Sequence, residues 1–103
     1  MDLNDYQLKA IGMAIYPTGY RIIYPTLGLT GEAGEVAEKV KKTLRDGGLN
    51  VEGLRKELGD VLWYLAALAR DLGLTLEEIA QENLKKLQDR KDRGVLKGSG
   101  DDR

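Results

Sequence analysis

Apolar residues return at intervals of three and four along four stretches of this chain, and no stretch alternates apolar with polar, which commits the fold to helices. The clearest stripe is Leu54, Leu58, Val61, Leu62, Leu65, Leu68 and Leu72, in a helix expected from Val51 to Leu72 with Asn50 as its cap and Gly73 as its stop. A first helix is predicted from a cap at Asn4 to about Ile15, on Leu8, Ile11 and Ile15. A second runs from about Leu27 to Arg45, with Leu29, Ala33, Val36, Ala37, Val40 and Leu44 on one face, and stops at Gly47 and Gly48. Thr75 and Glu78 form a capping-box pattern for a fourth, from Leu76 to about Arg90, which Gly94 ends.

Short connections between these stretches favour antiparallel neighbours, so the expected architecture is an all-α, bundle-like four-helix domain over residues 1–94. The segment YPTGYRIIYPTLG sets Pro17 and Pro25 around Gly19 and reads as an ordered loop, with Tyr16, Tyr20 and Tyr24 available as a wall. Residues 95–103 are rich in glycine and are expected to be a flexible tail. A chain of 103 residues with 42% hydrophobic composition builds only a modest core, so completion by oligomerisation is expected.

Charge narrows the chemistry. Sixteen basic residues balance seventeen acidic ones, which leaves no overall field for nucleic acid or an anionic membrane. Neither Cys nor His is present, and this removes thiolate and imidazole catalysis as well as Cys/His zinc sites. The N-terminus carries no basic leader ahead of an apolar segment, and no apolar run reaches membrane-spanning length, so a cytoplasmic protein is expected.

The second and third helices share a local text. Glu32-Ala-Gly-Glu35-Val-Ala reappears 25 residues later as Glu57-Leu-Gly-Asp60-Val-Leu. Acids three apart on a helix lie about 60° from one another, and in both copies the pair sits at the rim of the apolar stripe. If the stripes pack together, the four carboxylates are expected to converge. One such pair reads as a solvated face; two copies in the same register do not. Clustered carboxylates repel one another unless a cation neutralises them, and an all-oxygen donor set suits magnesium or manganese. Magnesium commonly shares its coordination with substrate phosphates, so a phosphorylated substrate is expected. Gly34 and Gly59 hold matching interior helix positions, where glycine costs about 0.5–1 kcal/mol, and close backbone approach would account for them.

On the fourth helix Asn83 falls inside the stripe of Leu76, Ile79, Ala80, Leu84 and Leu87, with Lys86 and Arg90 flanking that face. An amide beside two cations suits phosphate or base contacts, and equally a hydrogen-bonded structural role.

The motif Glu32-x-x-Glu35, 21 intervening residues, then Glu57-x-x-Asp60 resembles that of the MazG-type nucleotide pyrophosphohydrolases, and the similarity runs from YPTLGLTGEAGEVAEKVKK through LRKELGDVLWYLAALA to ENLKKLQDRKDRG. The resemblance implies an all-α enzyme that hydrolyses nucleoside triphosphates between the α- and β-phosphates, releasing a nucleoside monophosphate and pyrophosphate. It implies that Glu32, Glu35, Glu57 and Asp60 are the metal ligands. Asn83, Lys86 and Arg90 become nucleotide contacts, and Glu35, then Glu32, the candidate general base. Relatives form dimers or tetramers in which two subunits complete each site, which agrees with Trp63 lying off the main stripe, although the first helix could equally cover Trp63. Relatives acting on dUTP or phosphoribosyl-ATP keep the same fold, and a non-catalytic interaction module is the alternative of a different class.

Overall fold

The computed structural model describes residues 1–103 and contains four α-helices and no strand: α1 (Leu3–Ile11), α2 (Ile23–Asp46), α3 (Val51–Asp71) and α4 (Leu76–Asp92). A short 3-10 turn, Thr18–Tyr20, lies between α1 and α2. None of the helices is long and apolar enough to cross a membrane.

Local chemistry explains where the helices begin and end. Asp2 caps α1 in a reciprocal box with Asp5, so the helix starts earlier than a cap at Asn4 would allow. Asn4 serves a different helix: its Oδ1 accepts the backbone N–H of Glu77 in the first turn of α4. Gly12 follows the last residue of α1, and Ile15, expected inside the helix, is 95% exposed. α2 reaches back through Pro25 to Ile23, into the segment read as a loop. Pro25 is tolerated there because the first turn of a helix has no acceptors for its N–H groups, and its ring is fully buried. Asn50 caps α3 through the Gly53 amide, and Thr75 with Glu78 forms the expected capping box on α4. Gly47 and Gly48, both at φ above 70°, turn the chain from α2 into α3 with a conformation that β-carbons oppose.

α2 and α3 form an antiparallel hairpin, with positions 28, 32 and 39 of α2 standing against 64, 60 and 57 of α3. α1 crosses the far part of α3, where Trp63 Nε1 donates to the Ala10 carbonyl at 3.0 Å. That contact covers Trp63 within the chain. Gln7 ties three helices: its amide donates to the carbonyls of Ala66 and Leu74, and its Oε1 accepts the N–H of Leu76. Every buried polar side-chain atom has a partner.

The closed part of the core is small: Ala10, Ala66, Ala69 and Leu76, lined by Tyr6, Leu62, Trp63, Leu65 and Ile79. The fully buried positions on α3 are alanines, Ala66 and Ala69 being closed over by Ala10 of α1, while the predicted leucine stripe is only half covered and Leu58 and Leu72 are exposed. Leu44 on α2 and Leu84 on α4, also expected inward, are 90% and 67% exposed. α4 joins chiefly through α1 and meets the hairpin only along its first turns, where Leu76 and Ile79 enter the core. The radius of gyration is accordingly 16.3 Å, against about 13 Å for a compact domain of this length.

Candidate metal and phosphate site

The antiparallel register brings the two acidic texts face to face. One carboxylate oxygen from each of Glu32, Glu57 and Asp60 lies within 4.8 Å of the others, with Glu32 and Glu57 half-buried and Asp60 exposed. Burial pushes the Glu32 carboxyl above its ordinary value, and the neighbouring charges of Asp60, Glu57 and Glu35 push it the same way. The cluster is therefore electrostatically uncomfortable as three free anions, and its hard oxygen donors fit a divalent cation such as magnesium or manganese. Three of the four acids expected to converge do so. Glu35 is exposed, makes no ion pair or hydrogen bond, and lies outside the group of three, although its charge is felt at Glu32.

Lys39 supplies the only ammonium that reaches the cluster, with Nζ 3.7 Å from Glu57 Oε1. It follows Glu32 by seven residues, two turns along the same face of α2. On α3, Tyr64 follows Asp60 by four and Glu57 by seven, so its phenol shares their edge. Burial raises the Tyr64 hydroxyl above its ordinary value, with Tyr24, Glu32 and Asp60 adding to the effect. The spacing rule that groups the acids would have grouped Lys39 and Tyr64 with them.

Gly28 seats Tyr64. A β-carbon at position 28 would overlap the Tyr64 ring. Tyr24 stands 6.3 Å from Tyr64 between ring centroids, and Tyr16 stacks on Tyr24 at 4.9 Å, making an aromatic wall beside the acids. The wall is anchored at Asp71, whose Oδ2 accepts from the Tyr16 hydroxyl and the Ile22 N–H, both at 2.9 Å, while Oδ1 accepts from Arg70. Ile22 has φ 68° and ψ −54°, a γ-turn closed by the Ile23 N–H donating to the Arg21 carbonyl at 2.7 Å. A β-branched residue is strained there, and the bond to Asp71 helps hold it.

Gly34 and Gly59 do not make the close approach expected of them. Neither has a neighbour within 4 Å of where a β-carbon would stand, because both face outward from the hairpin.

None of the predicted nucleotide contacts on α4 bonds to the acid cluster. Asn83 is exposed and edges a groove formed by Leu3, Leu62, Leu65, Leu76, Ile79 and Ala80. Lys86 Nζ donates to Asp101 Oδ1 at 3.3 Å. Arg90 is 4% exposed and donates to the carbonyls of Asp101 at 2.7 Å and Gly100 at 3.4 Å. Residues 100–103 fold back on α4 through these bonds, and the Arg103 guanidinium binds the carbonyls of Val95, Leu96 and Gly100. Lys86 and Arg90 thus spend their donors on the tail rather than on the acid cluster.

A protein of Mycobacterium phage L5 described as the Gene 37 protein is 50% identical to this chain over 114 aligned positions that span all of both sequences. No solved structure matches. Residues 25–95, which carry both acidic pairs, Asn83, Lys86 and Arg90, match the MazG nucleotide pyrophosphohydrolase domain, and the chain belongs to that family.

Proposed function

We propose that this protein is a magnesium-dependent nucleoside triphosphate pyrophosphohydrolase that cleaves ordinary or deoxy nucleotides between the α- and β-phosphates, releasing a nucleoside monophosphate and pyrophosphate, and that it serves to clear non-standard nucleotides in the cytoplasm. The observation that carries this reading is the convergence of Glu32, Glu57 and Asp60 from two helices, inside the segment that matches the family.

Those three carboxylates would hold magnesium, or manganese, with Glu35 at the rim as a fourth ligand. The cation supplies positive charge opposite the phosphates as negative charge develops in the transition state. The chain does the rest. Glu35 is unpaired and one turn from Glu32, so it is free to take the proton of the attacking water, with Glu32 next in line. The wall of Tyr16, Tyr24 and Tyr64 stands beside the cluster and offers aromatic surface to a nucleoside.

Asn83 and Lys86 are the nucleotide contacts of this proposal, Arg90 being buried and bonded to the tail, and because none of the three bonds to the acids within one chain, a dimer or tetramer in which α4 of one subunit reaches the hairpin of another is favoured. Exposed Leu44, Leu58, Leu84 and Leu87 are apolar surface that such a partner would cover.

The test is a panel of ordinary, deoxy and modified nucleoside triphosphates, with dUTP and phosphoribosyl-ATP included, assayed with magnesium and with separate detection of pyrophosphate and phosphate. Pyrophosphate release from nucleoside triphosphates is expected. Turnover of phosphoribosyl-ATP or dUTP alone would reassign the substrate, and no turnover at all would favour a non-catalytic helical interaction module.

A further inference from the structure

Beyond the acid cluster, the end of the hairpin where α2 turns into α3 holds a polar cavity of about 230 Å³ lined by Lys39, Lys42, Thr43, Asp46, Gly48 and Asn50, with no apolar side chain. Its charge is positive. Asp46 is already engaged by Arg45 through two bonds of 2.7 and 2.8 Å, and no carboxylate lies within ion-pair distance of Lys42. Lys39 belongs to both places: it lines this cavity and its ammonium stands 3.7 Å from Glu57. The acid cluster and the cationic cavity are therefore contiguous, joined by one side chain.

We propose that this cavity is the subsite for the pyrophosphate half of the substrate, the two terminal phosphates that leave together, with Lys39 and Lys42 as its binding residues. The inference rests on the hydrolytic reading above and adds to it a binding site on α2. Two observations and one rule of phosphate binding carry it. Two lysines line a cavity whose single acid is already paired with Arg45. A lysine is a point-charge donor suited to phosphate oxygens. Lys39 adjoins both the cavity and the acid cluster, so a phosphate chain anchored at the acids has this cavity as its neighbour. A cation held by Glu57 would weaken its ion pair with Lys39 and leave that ammonium to bind phosphate instead. The same exchange would hold pyrophosphate after cleavage, so the product should bind here in its own right.

Calorimetric titration of the full chain with inorganic pyrophosphate, with orthophosphate and with a nucleoside monophosphate, each in the presence of magnesium, tests the subsite without requiring turnover. Lys39→Ala should weaken pyrophosphate binding by roughly tenfold or more, the loss of one charge-assisted contact, and leave nucleoside monophosphate binding unchanged. Lys39→Arg should retain most of the affinity. Lys42→Ala, at an exposed side chain without a partner, should weaken pyrophosphate binding without affecting the fold, which a melting curve verifies. Unchanged pyrophosphate affinity in both alanine variants, or an equal loss for pyrophosphate and nucleoside monophosphate, overturns the subsite. So does wild-type protein that hydrolyses nucleotides yet binds pyrophosphate no better than orthophosphate. Lysine-dependent pyrophosphate binding in a protein that turns over no nucleotide would uphold the subsite and remove the hydrolytic reading instead.

Discussion

The ring of Tyr64 lies over the α-carbon of Gly28 so closely that a β-carbon there would overlap three of its ring carbons. The contact joins α2 to α3 one turn from Glu32 and Asp60, so it sets both the separation of the two helices and the position of the phenol beside the acids. Gly28→Ala gains helix propensity of up to about 1 kcal/mol, yet the overlap should make it destabilising by about 1–3 kcal/mol. In a Tyr64→Ala background the same substitution should be neutral or stabilising. A double-mutant cycle by urea denaturation reads the coupling, and additive effects would show that the ring does not depend on Gly28.

Gly34 and Gly59 predict the opposite. Each is a helix-interior glycine with open space around it, so Gly34→Ala and Gly59→Ala should each stabilise the isolated chain by about 0.5–1 kcal/mol through the unfolded state and helix propensity. A loss of stability in either variant, measured by denaturant midpoint, would mean that another subunit packs on that position.

Asp71 gives the fold an acid limit. Burial pushes its carboxyl up, but the Ile22 amide, Arg70 and Tyr16 together outweigh burial and hold it below its ordinary value. Because the folded value is lowered, the stabilisation is complete above the ordinary value of 3.8 and is lost as pH falls through the folded one. Asp71→Asn should cost about 1–3 kcal/mol at neutral pH, since Arg70 and the Ile22 N–H lose a charged acceptor, and should flatten the fall in stability below about pH 4. Melting curves of both proteins across acid pH check it; parallel curves would remove Asp71 from the account.

Much of this was legible in the chain. The four helices, the Asn50 cap, the Thr75–Glu78 capping box and the glycine stops follow from local chemistry, and the facing of Glu32 with Glu57 and Asp60 follows from equal acid spacing on two helices that must share an apolar seam. What local chemistry does not carry is partner choice. Asn4 looks like the cap of its own helix, but Asp2 does that better and Asn4 caps α4, 73 residues away. Pro25 looks like a loop residue because its missing N–H matters everywhere in a helix except the first turn, where it sits. The leucine stripes announce burial without saying by what, and one chain leaves many of them uncovered.

Cation binding should act through the same acids. Magnesium or manganese is expected to raise the melting temperature by relieving the repulsion among Glu32, Glu57 and Asp60. Glu57→Gln should largely abolish the rise, and Glu35→Gln should weaken it less, because Glu35 stands outside the closest group. Equal rises in all three proteins, followed by thermal denaturation with and without chelator, would contradict a shared site.

The hydrolytic reading meets its most direct test in the fate of the water oxygen. Turnover of a nucleoside triphosphate with magnesium in oxygen-18 water, followed by mass spectrometry of both products, reports which phosphorus is attacked. Attack at the α-phosphorus places the label in the nucleoside monophosphate and none in pyrophosphate, and Glu57→Gln protein yields the labelled monophosphate far more slowly. Label in pyrophosphate or in orthophosphate, or wild-type rates in the Glu57→Gln protein, would contradict the assignment of this acid cluster to cleavage between the α- and β-phosphates.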